Sequence, residues 1–215
     1  MLICKDVLSK ADCQRILADV RNTGWKDGFT HFSKSHKSNT ELVHEEHGNF
    51  IISKVREHPD VFQKAFLKHM TMPRFNRYEL GQKYSRHVDY FLQEGIRIDW
   101  SMTLFLTEPD EYEGGELLFD NEKVKLPAGC MVLYESSKVH SVSPVTAGER
   151  IAAIAWAQSY IENEQERAIL GKLADVLAKP IRTDSATAEE IEARKEEMVN
   201  LSFVYNSLLK KWSKF

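Results

Sequence analysis

Residues 123–156 read KVKLPAGCMVLYESSKVHSVSPVTAGERIAAIAW, short apolar and β-branched runs cut by PAG at 127–129 and TAG at 146–148. Runs of this length between turn signals predict strands. Lys123 and Lys125 alternate with Val124 and Leu126, as expected of a strand with one wet face. Arg150, Ala152, Ile154 and Trp156 likewise share one side of a strand, because successive side chains point to opposite faces. The same texture reaches back to about Met70 and forward to Tyr160, with further breaks at Gly81-Gln82, Glu113-Gly114-Gly115 and Asp120-Asn121. Closely spaced strands with no helix between them predict an antiparallel sandwich or jelly roll over 70–160. Gly114 and Gly115 are expected to serve a turn or bulge.

On either side the period becomes helical, so the class is α+β. Ser9 and Asp12 form a capping-box start, followed by Cys13, Ile16, Leu17 and Val20 at amphipathic spacing. Residues 22–48 are polar and without sustained period, and they carry His31, His36, His44 and His47. A long loop is expected there, its histidines either lining a substrate entrance or solvated. Short helices are expected around 49–56 and from 59 to 67. After Tyr160, the residues Ile169, Leu170, Leu173, Val176 and Leu177 predict a helix that stops at Pro180. A polar linker, RTDSATAEE, leads to a second stripe of Met198, Leu201, Tyr205, Leu208, Leu209 and Trp212. The expected organisation is therefore 1–69 as N-terminal helices and a long loop packed on a 70–160 core, with 161–215 as a C-terminal helical extension. The last stripe offers a surface for homo-oligomerisation.

The chain has 215 residues, 42% of them hydrophobic, enough to bury a core. Cys4, Cys13 and Cys130 are odd in number and lack a C-x-x-C pair, which argues against a disulfide framework or a thiolate zinc site. No run approaches the ~18 apolar residues of a membrane span, and no secretory leader is evident, so a cytoplasmic protein without membrane association is expected. The net charge is −3 and the basic residues are dispersed, so nucleic-acid binding has no electrostatic support.

Three features inside the strand region carry chemistry: His87-Val88-Asp89, the lone His140, and Arg150 ten residues after it. In a strand, His87 and Asp89 would project together, about 6–7 Å apart along the backbone. Two imidazoles and one carboxylate on one side of a metal leave positions open and suit non-haem iron(II), although the same donors also suit zinc. His140 and Arg150 flank a turn at Pro144–Gly148 and are expected on neighbouring antiparallel strands facing one cavity. A buried arginine needs an anion, and a guanidinium fork fits a carboxylate in two-point contact. The plainer alternative pairs Arg150 with Glu149 or Asp110 at the surface.

The stretches FNRYELGQKYSRHVDY (75–90), TLFLTEPDEYEGGELLF (103–119) and VKLPAGCMVLYESSKVHSVSPVTAGERIAAIAWAQS (124–159), with the tail NLSFVYNSLLKKW (200–212), resemble the PKHD-type hydroxylases. These are bacterial relatives of the prolyl and lysyl hydroxylase domains. The resemblance implies a double-stranded β-helix (jelly roll) with helices outside and iron(II) held by His87, Asp89 and His140. It also implies 2-oxoglutarate bound by Arg150, with O2 as oxidant and ascorbate as stimulant. Tyr78 sits where related prolyl hydroxylases place a tyrosine beside the cosubstrate, whereas Tyr84 and Trp156 read more simply as inward core aromatics. The implied reaction hydroxylates a C–H bond and needs no protein general base. A prolyl residue of a peptide or protein is the expected substrate, with a small molecule linked to iron uptake as the alternative. Two positions depart from the family pattern: Tyr90 follows the metal Asp where Asn is common, and Cys130 follows LPAG. A nucleic-acid demethylase of the same chemistry would carry a second arginine where Trp156 stands. A jelly-roll module binding metal without oxygen chemistry would leave Arg150 unexplained.

Overall fold

The computed structural model describes residues 1–28, 36–180 and 187–215. The N-terminal third contributes β1 (Leu2–Cys4), α1 (Lys10–Arg21), β2 (Lys26–Asp27), β3 (Lys37–Ser38), β4 (Thr40–Val43), α2 (Glu45–Glu57) and β5 (Leu67–Met70). The central stretch runs through β6 (Arg74–Tyr78), β7 (Lys83–His87), β8 (Leu92–Gln93), β9 (Ile96–Arg97), β10 (Trp100–Phe105) and β11 (Tyr112–Gly114). It continues with β12 (Leu117–Leu118), β13 (Lys123–Val124), β14 (Met131–Glu135), β15 (His140–Val142), β16 (Val145–Gly148) and β17 (Arg150–Ser159). Helices α3 (Glu164–Leu177) and α4 (Ala188–Trp212) close the chain.

Eight strands form the larger sheet in the order β1-β14-β10-β17-β6-β4-β2, with β5 also paired to β17, and five form a smaller sheet in the order β13-β12-β15-β7-β3. The pairings are antiparallel. Alternation explains how the sheets stack. Met102, Leu104, Met131, Leu133, Ile151 and Ala153 point to one side of the larger sheet, where Cys13, Ile16, Leu17 and Val20 of α1 and Ile51 and Val55 of α2 cover them. Phe105, Val132 and Tyr134 point the other way and meet Leu117 and Val124 of the smaller sheet. Every residue of β10 and of β14 is therefore buried, one face under helices and one inside the sandwich. Each fully buried Leu or Ile here contributes about 1.5–3 kcal/mol.

The capping box of α1 forms as expected, Ser9 and Asp12 satisfying each other's backbone N–H groups. Three expectations need correction. The long loop over 22–48 is, in its described part, occupied by β2, β3 and β4 and the start of α2; His31 lies outside the described residues. These strands are only 2–4 residues long, and β4 is recognisable only by its antiparallel register on β6, Thr40 opposite Arg77 through Val43 opposite Arg74. The short helix expected from 59 to 67 is a five-residue π-helical turn over Val61–Ala65, after which Phe66 takes a left-handed φ of 52°. In α3 the buried face is Arg167, Leu170, Gly171 and Ala174, whereas Ile169 and Val176 are exposed. An arginine organises that face: Arg167 donates to the carbonyls of Ile161 and Glu162 and pairs with Glu135 of β14. In α4 the expected stripe is the packed one, with Tyr205, Leu208, Leu209 and Trp212 set against Phe66, Ile161 and Leu170.

Candidate active site

In the smaller sheet β7 and β15 lie side by side with His87 opposite His140, and their ring centroids are 4.1 Å apart. Asp89 lies two residues beyond the end of β7, so strand alternation is not what aligns it. It is held from the facing sheet, where the Ser101 hydroxyl of β10 donates to Asp89 Oδ2 at 2.5 Å. His87 Nε2 then stands 3.9 Å from Asp89 Oδ1, and His140 Nε2 stands 3.7 Å from Asp89 Oδ2. One donor atom from each residue falls within 4.8 Å of the others, the spacing of groups that close on a single ion through bonds of about 2.0–2.2 Å.

The tautomers follow from the neighbours. His87 Nδ1 lies 2.8 Å from the Ser85 carbonyl and His140 Nδ1 lies 2.9 Å from the Lys138 carbonyl. A carbonyl only accepts, so both Nδ1 atoms carry the proton and both Nε2 lone pairs face the centre. Burial, and then the charge of His140, pull His87 down from 6.5 to about 4, which keeps it neutral near pH 7. Tyr84 stacks on His87 at 3.6 Å with the rings 15° apart, and Tyr134 meets His140 edge-on at 4.9 Å. A register shift between β7 and β15 sets Tyr84 against His87 although they are three residues apart.

Arg150 is not on a strand next to His140. β16 intervenes, and Arg150 begins β17 in the larger sheet, facing the histidines across the sandwich. It is 1% exposed, and none of its three guanidinium nitrogens has a hydrogen-bond partner among the described residues. The rings of Tyr78 and Phe105 flank it at 5.2 and 5.5 Å. Glu149 does not neutralise it, because that carboxylate accepts from Arg21 at 3.1 Å. Between Arg150 and the His-Asp-His group runs a narrow cleft with about 50 Å³ of free space, lined by Tyr78, Thr103, Leu117, Tyr134 and Ile154. Tyr78 is opposite Arg150 in register and 2% exposed, and burial pushes its hydroxyl well above the usual phenol range. Arg150 thus lies deeper than His87 and Asp89, whose side chains are 10% and 12% exposed. A buried, unpaired guanidinium is costly, and a carboxylate reaching down the cleft would offset that cost.

The loop histidines take other places. His44 caps α2, and His47 is buried against the Asp19 carboxylate at 2.8 Å. His36 meets Tyr84 edge-on at 5.8 Å, beside the site. Sequence reasoning missed Ser101, Thr103 and Tyr134. The available signal was the strand WSMTLF, whose two hydroxyls at 101 and 103 interrupt an apolar run on one face.

This jelly roll, with a His-Asp-His group opposite a buried arginine, defines a class. Residues 73–158 match the family described as the 2OG-Fe(II) oxygenase superfamily. A PKHD-type hydroxylase of Stenotrophomonas maltophilia is 36% identical over 99% of both chains, and one of Teredinibacter turnerae is 36% identical over the whole of both. The chain belongs to the PKHD-type hydroxylases and is an Fe(II)- and 2-oxoglutarate-dependent dioxygenase. Among solved structures, a viral collagen prolyl hydroxylase from Paramecium bursaria Chlorella virus-1 superposes with a TM-score of 0.58 at 19% identity, covering 74% of this chain and 95% of that one. A Pseudomonas putida prolyl-4-hydroxylase superposes at 0.54 and 19% identity, covering 74% and 91%.

Proposed function

We propose that His87, Asp89 and His140 hold the iron(II), that Arg150 and Tyr78 receive 2-oxoglutarate, and that the enzyme hydroxylates a prolyl residue of a peptide or protein. The observation carrying this reading is the partnerless Arg150 guanidinium at the closed end of a cleft whose open end presents two Nε2 lone pairs and a carboxylate. A zinc-binding module has no use for such a cation. When bound, the metal with 2-oxoglutarate and dioxygen supplies the oxidising power for C–H hydroxylation, 2-oxoglutarate leaving as succinate and carbon dioxide.

The chain's own residues bind, orient and exclude water. Arg150 takes the distal carboxylate in a two-point contact that fixes the cosubstrate's depth. The Ser85 and Lys138 carbonyls fix the ring orientations, and the Ser101 hydroxyl fixes the carboxylate. Tyr84, Tyr134 and Val142 wall the centre with apolar surface. A larger cleft of about 340 Å³ opens beside the same residues, lined by Tyr84, Val88, Tyr90, Gln93 and Trp156. Its size suits one side chain presented from a peptide, and the prolyl hydroxylases that share the fold favour proline as the residue presented.

The test is succinate release with iron(II), 2-oxoglutarate and ascorbate, screened against proline-containing peptides and small iron chelators. A proline peptide is expected to raise succinate above the uncoupled rate and to gain 16 Da per turnover, an increment set by one oxygen atom. Asp89→Ala is expected to abolish the substrate-linked succinate. Stimulation by chelators alone would overturn the prolyl assignment, and full turnover by the Asp89 variant would overturn the ligand set.

A further inference from the structure

We infer that Tyr112, which lies outside the cleft lining, is a positioning residue for the cosubstrate: its phenol stands against the Arg150 guanidinium and sets the edge that Arg150 presents to an anion. This rests on the reading of Arg150 as the carboxylate receptor.

Two buried polar side chains lie together in this corner, each without a complete hydrogen bond. Tyr112 is 3% exposed with no partner for its hydroxyl, and Arg150 is 1% exposed with none for its three nitrogens. They are neighbours. A Cβ added at Gly115 would fall 3.0 Å from Arg150 Cδ and 3.1 Å from Tyr112 Cε2. The nearby Arg150 charge opposes the upward push that burial gives the Tyr112 hydroxyl, although the two groups make no hydrogen bond. A guanidinium offers five N–H donors and no acceptor, and a phenol oxygen can accept from it.

The surroundings restrict Arg150 further. Tyr78 and Phe105 flank it with their rings, so its freedom is rotation within the slot between them. An oxygen fixed beside one edge selects one rotation and leaves the remaining edge for the cleft. Tyr112 is itself fixed. Lys125 Nζ donates to the Tyr112 carbonyl at 2.7 Å and lies 4.0 Å from its ring centroid, and β11 pairs Tyr112 with Gly148 two residues before Arg150. Gly115, at φ 64°, supplies the close approach that a side chain would block.

Removing the hydroxyl should weaken 2-oxoglutarate binding without touching the metal. For Tyr112→Phe, the expected result is a rise of about tenfold in the KM for 2-oxoglutarate, with kcat at saturating cosubstrate and the iron(II) affinity unchanged. Anaerobic titration of the iron(II) protein, following the visible band that a chelated 2-oxo acid gives, reads the same loss as a binding constant. Lys125→Met, which loosens Tyr112 without altering Arg150, should shift both in the same direction by less. Arg150→Ala separates this inference from the reading beneath it. If Arg150→Ala loses the cosubstrate while both other variants bind it as the parent does, Tyr112 has no positioning role. If Arg150→Ala binds 2-oxoglutarate normally, the assignment of Arg150 itself is overturned. A KM unchanged in Tyr112→Phe with a lowered melting temperature would mark Tyr112 as structural only.

Discussion

The Asp89 carboxylate is the least anchored of the three donor groups by secondary structure, since β7 has already ended at His87. Its orientation depends on the Ser101 hydroxyl reaching from the opposite sheet to Oδ2. A partner of this kind around a metal site carries about 10–100-fold in affinity. Ser101→Ala removes one oxygen from a fully buried position in β10 and leaves the neighbouring apolar packing intact. Its iron(II) dissociation constant, measured by anaerobic titration, is therefore expected to rise at least about tenfold while the metal-free protein melts close to the parent. An unchanged constant would mean that Asp89 is oriented by its backbone alone. The grouping of His87, Asp89 and His140 was legible, because H-x-D and a later histidine keep their chemistry wherever the chain goes, and the structure brings the three side chains together. Ser101 was not, because a serine in a strand reads the same whether it faces a carboxylate or packed methyl groups.

At the scale of elements, α3 is joined to the larger sheet through the buried Arg167, which pairs with Glu135 and lies 4.0 Å from the Asp99 carboxylate just before β10. Arg167 reaches Glu135 on β14 and also donates to the Ile161 and Glu162 carbonyls, its side chain 4% exposed beside a Glu135 side chain 9% exposed. Burial raises the Glu135 carboxyl above its ordinary value, and the Arg167 charge opposes that rise. Arg167→Met removes the opposing charge and strands the carboxylate, at a cost of about 3 kcal/mol. The sign of the pH dependence follows from the raised folded value. The unfolded chain releases this proton first, so the variant's deficit should grow as pH rises above 4.5 and shrink on acidification. Denaturant unfolding of both proteins at pH 5 and pH 8 checks it, and a deficit independent of pH would assign the loss to packing. This junction also explains a misreading. A count of apolar residues places Ile169 and Val176 on the inner face of α3, yet the helix turns inward the side carrying Arg167, Gly171 and Ala174. Helix α1 was legible down to its cap, because its buried side is wholly apolar and its start is encoded locally. The strands at 26–43 were not, since each gains its identity only by pairing with β6, β7 or a neighbouring edge strand.

Across the whole molecule the two sheets divide the work. The smaller sheet carries both histidines, the larger carries Arg150 and Tyr78, and the Ser101–Asp89 bond ties one to the other. The site therefore depends on how the sheets are set, and that setting rests on the side chains packed between them, Phe105, Val132 and Tyr134 against Leu117 and Val124. Helix α4 stands apart from this arrangement. It covers Phe66, Ile161 and Leu170 with the half-buried Tyr205, Leu208, Leu209 and Trp212, and the chain beyond it meets Tyr160 and Ile161 through Lys214 and Ser213. No residue of α4 lines either cleft beside the His-Asp-His group. A chain ended at Lys179 should consequently lose stability through the uncovering of Ile161 and Leu170, at about 2–4 °C in Tm for each kcal/mol lost. Its anaerobic iron(II) and 2-oxoglutarate titration should match that of the full chain below the transition. A truncated protein that melts lower but binds both normally would place α4 outside the machinery. Loss of the 2-oxo acid band in a protein still folded would show that α4 sets the spacing of the two sheets, through the β17 end at Ser159 that lies next to its contacts.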